Sequence, residues 1–259
     1  MGILQQYLPD FAKRTIKKIA YRLYFFTDSV FKGPIDKYDP QTLLIFKKYL
    51  GKTSNCIDIG AHHGHILREI LAAAPRGTHF AFEPIPGLYK KLQKRFGKKV
   101  VLYNCALSDR KGTAEFNLVV DKPAISGLKK RTDYGPHPVS TFSVSTERLD
   151  DIVPPDVKID LIKIDVEGAE MLVLKGAVEL LRRNKPIVLF EFGSAAGDLY
   201  DTDPAVVYDL FTECGMEVSV IEYFLRRQTG FSREEFTGQY RKGYNYFFIA
   251  YNKDILKKS

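Results

Sequence analysis

Charged side chains alternate with branched apolar ones in the segment DLIKIDVEGAE, which covers residues 160–170. In an extended strand, Lys163, Asp165 and Glu167 would share one face, with Ile and Val on the other. Charges on a buried strand are costly when they are left unpaired. The pattern therefore predicts either an ion pair between Lys163 and a carboxylate at the strand end, or a pocket in which these groups act on a ligand.

Carboxylates at this position suit proton transfer, because a neutral hydroxyl becomes a better nucleophile when a base takes its proton. Asp165 and Glu167 are the candidate bases, and Lys163 would orient them. Glu191 ends the next strand-like run and adds a further carboxylate at the same sheet edge. A divalent cation on these acids is an alternative activator. No dense spacing of Asp and His ligands supports it, so we predict no metal site.

A glycine turn, DIGAHHG, follows an earlier strand-like run at residues 58–64. Glycine at such a turn lets a ligand approach the backbone closely. Glu83 comes 23 residues after Gly60, about the distance at which dinucleotide-binding folds place the acid that binds a ribose hydroxyl. We therefore expect a nucleoside cofactor here, bound by Glu83 and by the turn residues Asp58, Gly60, Ala61, His62 and Gly64.

Two cofactor classes share this arrangement of strand, glycine turn and later acid. Nicotinamide dinucleotides need the spacing G-x-G-x-x-G, which lets backbone amides reach the pyrophosphate. In this chain the side chain of His62 comes two residues after Gly60 and would crowd that approach. S-adenosylmethionine has no phosphate and offers an amino group, for which Asp58 is a suitable partner. The turn therefore favours S-adenosylmethionine.

After residue 55, short apolar runs alternate with helix-length patterns, which predicts βαβ units and a mostly parallel sheet with helices on both faces. The predicted strands are 55–60, 78–83, 100–107, 160–166, 186–192, 217–223 and 245–251. The predicted helices are 65–74, 86–96, 169–183 and 204–214. Ligands of such sheets bind beyond the carboxyl ends of the strands. Those ends should therefore bring the acids and the glycine turn together.

Residues 112–150 interrupt the alternation with strand-like pieces at 114–120 and 141–149. Between them lies a loop, 121–140, that is rich in Pro, Gly, Ser and basic residues. A long insertion in a compact domain is usually functional or disordered. We predict that this loop is a lid that covers the substrate and excludes water.

The segment 11–26 carries five basic residues among apolar residues at helical spacing, which predicts a basic amphipathic helix. Such a helix could pack its apolar stripe on the main domain or contact a membrane surface. We predict an N-terminal helical extension over residues 1–50 and a single α/β domain over residues 51–259.

The composition of the 259 residues, with 45% hydrophobic and 27% charged side chains, excludes disordered and fibrous classes. Three scattered cysteines without a C-x-x-C pair predict reduced, buried thiols. With no signal peptide pattern or spanning segment, we expect a cytoplasmic protein, and contact with the inner membrane surface through residues 11–26 is the open alternative. The net charge of +8 attracts nucleic acid, anionic membranes and acidic substrates alike.

Five short segments together resemble the FkbM-type methyltransferases. They are IDIGA from Ile57, FEP from Phe82, NCALSD from Asn104, LDD from Leu149 and, most specifically, IKIDVEGAE from Ile162. The resemblance covers about residues 55–192. It implies a Rossmann-like class I methyltransferase fold that uses S-adenosylmethionine, usually for O-methylation of sugars in glycans, glycolipids or natural products.

Carried over by position, the resemblance implies a methionine contact at Asp58 and Gly60, a ribose contact at Glu83, an adenine border at Ala106 and Leu107, and an acceptor-facing role for Asp165 and Glu167. The chain departs from the family pattern at His62 and His63, where Asn and an aliphatic residue are more usual. Either histidine could therefore contact the substrate.

The expected function is S-adenosylmethionine-dependent O-methylation of a hydroxyl, most plausibly on a saccharide or glycolipid. A nucleic-acid methyltransferase is an alternative suggested by the positive charge, although the fourth strand lacks the Asn/Asp-Pro-Pro-aromatic ending of base amino-methyltransferases. A second alternative is a non-catalytic scaffold that binds a membrane or a partner through the basic first helix.

Overall fold

A computed structural model describes residues 38–131 and 135–257. The chain divides between residues 41 and 42, and the second unit, from Thr42 onward, is compact. The predicted basic helix at 11–26 lies outside the described residues. Helix α1 (Tyr38–Tyr49) contributes Ile45 and Phe46 to the buried core of the second unit. The domain boundary between residues 50 and 51 stays a prediction.

Ten strands follow one another along the described chain. They are β1 (Cys56–Ile59), β2 (Phe80–Phe82), β3 (Val101–Tyr103), β4 (Ala106–Leu107), β5 (Gly112–Val119), β6 (Val139–Glu147), β7 (Leu161–Ile164), β8 (Ile187–Glu191), β9 (Glu217–Ser219) and β10 (Phe247–Tyr251). Seven of them form one sheet in the order β3-β2-β1-β7-β8-β10-β9. Within this sheet β10 runs antiparallel to both of its neighbours, and the other described pairs are parallel.

Nine further helices connect the described strands. They are α2 (His65–Ala73), α3 (Pro86–Phe96), α4 (Leu149–Ile152), α5 (Glu170–Lys175), α6 (Val178–Asn184), α7 (Ser194–Gly197), α8 (Pro204–Glu213), α9 (Ile221–Leu225) and α10 (Arg233–Arg241). In two of these helices, side chains at the N-terminus cap the first turn. Asp203 accepts a hydrogen bond from the backbone of Ala205 at the start of α8, and Ser232 and Glu235 form a capping box at α10.

The central strands are buried on both faces. Every residue of β1, β7 and β10 is buried, and in β8 the terminal Glu191 alone is partly exposed. This is the burial expected for a sheet with helices on both sides. The structure confirms the predicted mixed α/β fold with a seven-stranded, mostly parallel sheet.

Two predicted elements are interrupted in the structure, and a third ends early. The strand at 100–107 divides at Asn104, whose side chain donates hydrogen bonds to the carbonyl oxygens of Glu83 and Pro84. The strand at 217–223 stops at Ser219, and Ile221 and Phe224 are then buried at helical spacing in α9. The helix at 169–183 breaks at Gly176, where a Cβ would collide with the carbonyl oxygen of Ser108. These breaks depend on contacts with distant residues.

The insertion forms a second sheet. Strands β5 and β6 pair antiparallel over their whole length, and β4 pairs parallel with β6. The two strand-like pieces of the insertion are therefore a hairpin. The predicted loop 121–140 joins them, except that its last two residues, Val139 and Ser140, already pair with β5. Its described part begins with a short 3₁₀ turn, Pro123–Ile125.

In the described residues, no helix is long and apolar enough to cross a membrane. The three cysteines are unbonded and buried, as predicted.

Candidate active site

A cavity of about 380 Å³ lies at the carboxyl ends of β1, β2 and β7. The chain leaves β1 towards β2 on one side and leaves β7 towards β8 on the other, so the cavity occupies the switch point where open α/β sheets bind ligands. Its volume suits a small molecule. All predicted site residues except Gly64 line it, namely Asp58, Gly60, Ala61, His62, Glu83, Ala106, Leu107, Lys163, Asp165, Glu167 and Glu191.

Gly64 has a different role from the one predicted. It has a φ of 76°, and a Cβ there would come within 2.7 Å of both Phe96 and Leu92. Gly64 therefore permits close packing of α2 against α3 and is not part of the cavity wall.

Gly60, directly after β1, packs against the backbone that follows β7. Its φ is 76°, and a Cβ at this position would collide with the backbone carbonyl oxygen of Asp165. The close approach of the two strand ends requires a residue without a side chain. Gly60 is thus needed to bring the turn after β1 beside the acids after β7.

Asp58 is buried at the base of the cavity. The parallel pairing of β1 with β7 places it opposite Lys163, and neither of its carboxylate oxygens accepts a hydrogen bond from the described residues. Burial raises the pKa of Asp58 to about 6, and the charge of Lys163 and the nearby backbone N–H of Leu67 limit the rise. A buried carboxylate without a donor is costly. It is therefore available for a cationic group of a ligand.

Glu83, at the end of β2, is also buried. Its Oε2 accepts a hydrogen bond from the backbone of His62 (2.7 Å), and its Oε1 accepts one from the backbone of Ile85 (2.9 Å). Burial raises its pKa to about 7. Each carboxylate oxygen keeps a lone pair for a ligand hydroxyl. Glu83 thus fixes the turn after β1 and can still bind a diol.

His62 adopts a φ of 48°, which is uncommon for a residue with a side chain. Its Nε2 is buried and has no hydrogen-bond partner among the described residues. Burial lowers the pKa of His62 to about 4, and the neighbouring His63 adds to this effect. The ring is therefore neutral at neutral pH and can donate or accept one hydrogen bond at Nε2, according to its tautomer.

Lys163 and Asp165 form an ion pair within the cavity wall. The Nζ of Lys163 donates to Oδ2 of Asp165 at 2.9 Å. Burial would lower the pKa of Lys163, but the charges of Asp165 and Asp58 raise it above its usual value. The side chain of Asp165 remains 32% exposed. The predicted ion pair exists, and it faces a cavity; that these groups act on a ligand stays a prediction.

Glu167 is bound by a residue that the sequence did not indicate. Nη1 of Arg131, in the loop 121–140, donates to Oε2 of Glu167, and both side chains are largely buried. The neighbouring Lys129 and Lys130 have similar charge, and no pattern in the sequence distinguishes Arg131 from them. The loop therefore places a cation directly on one of the two candidate bases.

Glu170 and Glu191 are two further acids in the region of the cavity. Glu170, in the first turn of α5, accepts hydrogen bonds from the backbones of Val166 and Gly168. Burial raises its pKa to about 7. Burial and the charge of Asp165 also raise the pKa of Glu191 well above its usual value. Glu191 is therefore mostly protonated at neutral pH in the absence of a ligand.

The insertion supplies an apolar side of the cavity. Phe116 from β5 and Leu128 from the loop 121–140 line it together with Ile85, Ala106 and Leu107. The sequence predicted the last two and missed Phe116 and Leu128, because their distance along the chain from the strand ends hides their proximity.

The described part of the loop is held down on the site. Besides the contact between Arg131 and Glu167, the Nζ of Lys129 donates to the carbonyl oxygen of Leu199 at 2.6 Å and lies 4.8 Å from the ring centre of Tyr200. These contacts place the loop over the cavity. That it opens and closes as a lid stays a prediction.

The other histidines divide between the core and the site. His79 lies between the backbone N–H of Cys56 and the carbonyl oxygen of Ala74, so its role is structural. His65 lines the cavity. Within residues 38–131 and 135–257, no group of three His, Cys, Asp or Glu side chains could hold a metal ion.

The methyltransferase FkbM domain model matches residues 58–218. A 2-O-methyltransferase named NoeI, from Sinorhizobium fredii, is 30% identical over 149 residues, which are 50% of this chain and 59% of the relative. A methyltransferase named sdnD, from Sordaria araneosa, is 29% identical over 155 residues, 48% of this chain and 60% of the relative. The chain thus spans about three fifths of the length of the curated relatives it matches.

A solved structure of methyltransferase FkbM from Methylobacillus flagellatus superposes with a TM-score of 0.48 at 15% identity. The superposition covers 78% of this chain and 44% of that chain.

Proposed function

Because the chain belongs to the methyltransferase FkbM domain family, we propose that it transfers the methyl group of S-adenosylmethionine to a hydroxyl oxygen of a saccharide. The observation that carries this proposal is the buried carboxylate of Asp58, which lies without a hydrogen-bond donor at the base of a cavity at the switch point of the sheet. An amino acid ammonium group would provide the missing donors.

The other cavity residues fit the rest of the cofactor. Glu83 can accept hydrogen bonds from ribose hydroxyls, and the apolar side formed by Ile85, Ala106 and Leu107 suits an adenine ring. His62 offers a neutral Nε2 to a polar group of the ligand. When bound, S-adenosylmethionine supplies a methyl group made electrophilic by its sulfonium.

Among the candidate bases, the contacts favour Asp165. The side chain of Glu167 is paired with Arg131 and is 14% exposed, against 32% for Asp165, and Glu191 is mostly protonated at neutral pH because its pKa is raised. Asp165 is partly exposed to the cavity, and Lys163 engages its Oδ2. We infer that Lys163 holds the Asp165 carboxylate in place while that carboxylate accepts the proton of the acceptor hydroxyl.

One observation supports a saccharide acceptor, and a second supports transfer to oxygen. Asp165, Glu167 and Glu191 give the cavity a carboxylate-rich side, and such groups readily form hydrogen bonds with sugar hydroxyls. The name of the NoeI relative also describes transfer to an oxygen atom. The acceptor would bind between these acids and the loop 121–140, which keeps water from the reacting atoms.

The substitution Asp165→Asn tests the assignment of the base. We expect kcat to fall by about 10²–10⁴-fold, because proton transfer contributes that much, while calorimetry shows affinity for S-adenosylmethionine within a fewfold of wild type. Glu191→Gln is the matched control and should lose far less turnover, because a protonated Glu191 is not the base. Turnover of Asp165→Asn close to wild type would exclude Asp165 as the proton acceptor.

A further inference from the structure

Helix α3 and the turn after it carry exposed cations and no acidic residue. Helix α3 and the turn after it contain Lys90, Lys91, Lys94, Arg95, Lys98 and Lys99, and all six side chains are exposed. We call this set the basic face. None of the six forms an ion pair with another described residue, although Arg95 lies 4.9 Å from the ring centre of Phe96. The sequence contains no acidic residue between Glu83 and Asp109.

The charges of the basic face repel one another along the helix. Lys90 and Lys94 are four residues apart, as are Lys91 and Arg95, and like charges at this spacing destabilise a helix. An ordinary solvated helix mixes charges of both signs and avoids this cost. The apolar residues Leu88, Leu92 and Phe96 hold α3 on the sheet by the opposite side. The tertiary structure thus maintains a concentration of charge that α3 alone would disfavour.

The start of helix α3 lies beside the cavity, because the helix begins directly after Glu83, Pro84 and Ile85, which line it. The charge of Lys91 also contributes, after burial, to the lowered pKa of His63, another lining residue. The part of the basic face around Lys91 is therefore near the cavity edge.

We propose that the basic face binds the surface of an anionic lipid bilayer. Six cations within ten residues match the density of polybasic segments that bind acidic headgroups, and each Lys or Arg adds to the attraction without a specific geometry. Binding is electrostatic, because the apolar residues of α3 are buried in the core and cannot insert into the membrane.

A bilayer fits this face better than a single-stranded nucleic acid does. Proteins that bind single strands combine cations with exposed aromatic rings on which the bases stack. On α3 the ring of Phe96 is buried and that of Tyr89 is partly covered. A bilayer needs only a density of positive charge.

This inference does not rest on the proposed function. A variant could lose bilayer binding and still methylate a soluble acceptor, and a protein without methyl transfer could still bind vesicles. The two proposals therefore fail separately.

The test is co-sedimentation of the full chain with vesicles. One set contains phosphatidylcholine alone, and the other contains phosphatidylcholine with about one third phosphatidylglycerol. The test variant is K90Q/K91Q/K94Q/K98Q. The control, K52Q/R183Q/K242Q/K253Q, removes the same number of exposed charges away from the basic face. Thermal unfolding checks that both variants fold.

We expect wild type and the control to bind the anionic vesicles, to bind neutral vesicles weakly, and to dissociate as ionic strength rises. The test variant should bind the anionic vesicles at least about tenfold more weakly. Equal losses in the test variant and the control would mean that only net charge matters and would overturn the proposal. It would also fail if the protein bound a single-stranded oligonucleotide but not the vesicles under the same conditions.

Discussion

Asp58 shows how one residue can be retained for its ligand at a cost to the free protein. Its carboxylate is buried without a donor, and its pKa of about 6 shows that the folded protein disfavours its charged form near neutral pH. Because folding raises the pKa of this carboxyl group, its contribution to the stability of the folded state is present when the group is protonated. That contribution is lost as pH rises from the unfolded pKa towards the folded pKa. An ammonium group of the ligand would reverse this penalty.

The pH dependence of ligand binding follows from this residue. Below its pKa, Asp58 is neutral and binds a cation poorly, so affinity for S-adenosylmethionine should rise with pH. With a pKa of about 6, its ionised fraction increases roughly tenfold between pH 5 and pH 7. Calorimetry across this range should show a gain in affinity of about that size.

Asp58→Asn provides the control for this measurement. The variant should bind S-adenosylmethionine much more weakly at neutral pH and should show less dependence on pH. Its melting temperature should be no lower than that of wild type, because a buried charge has been removed. Wild-type affinity that stays constant from pH 5 to pH 7 would contradict the role assigned to Asp58.

At the scale of elements, the site depends on how closely the ends of β1 and β7 approach each other and on how the loop 121–140 returns over them. Gly60 permits the first contact. Arg131 and Lys129 make the second, through Glu167 and Leu199. One contact belongs to the sheet, and the other belongs to a loop that we predict can detach from it.

The substitution Gly60→Ala tests the first contact. A Cβ would meet the carbonyl oxygen of Asp165 in a backbone conformation with positive φ, and we expect the free energy of unfolding to fall by about 2 kcal/mol or more. Denaturant unfolding measures the effect. Gly238→Ala, inside α10 with no atom within 4 Å of the added Cβ, should stabilise by about 0.5–1 kcal/mol. Equal stability of the two variants would show that the strand ends can separate without cost.

Arg131→Gln tests the second contact. Loss of the ion pair should release the loop, so limited proteolysis should cut within residues 121–140 faster than in wild type. The KM for the acceptor should rise several-fold, with little change in affinity for S-adenosylmethionine. Lys130→Gln is the matched control, because this neighbouring side chain is exposed and has no ion pair with a described residue. Identical proteolysis of both variants would argue against a lid held by Arg131.

For the whole molecule, the switch point and its charge decide which nucleoside cofactor binds. Asp58 and Glu83 meet at the ends of β1 and β2, and both are carboxylates. Glu83 suits a ribose diol in either cofactor class, whereas Asp58 in the turn suits an ammonium group and would repel a pyrophosphate.

A thermal-shift experiment distinguishes these cofactors. S-adenosylmethionine and S-adenosylhomocysteine should raise the melting temperature by several degrees at saturating concentration, because each binds only the folded state. NAD⁺ and NADP⁺ should leave it unchanged. A larger shift with a pyridine dinucleotide would overturn the proposed use of S-adenosylmethionine.

The amino-acid sequence by itself determined the alternation of strands and helices, the seven-stranded sheet and the cavity-lining roles of residues such as Asp58, Glu83 and Asp165. These follow from local periodicity and from the rule that parallel strands bind ligands at their carboxyl ends. These patterns involve residues that are close together in the chain, so they can be recognised in a single sequence.

The tertiary structure alone decided that Arg131 pairs with Glu167, that Phe116 and Leu128 close the apolar side, and that Gly64 serves helix packing. Each is a contact between segments far apart in the chain. Lys129, Lys130 and Arg131 form a run of like charge in the sequence. The path of the insertion determines which of these three side chains reaches Glu167. Local patterns cannot distinguish them, because the deciding free energy comes from burial against a distant strand end.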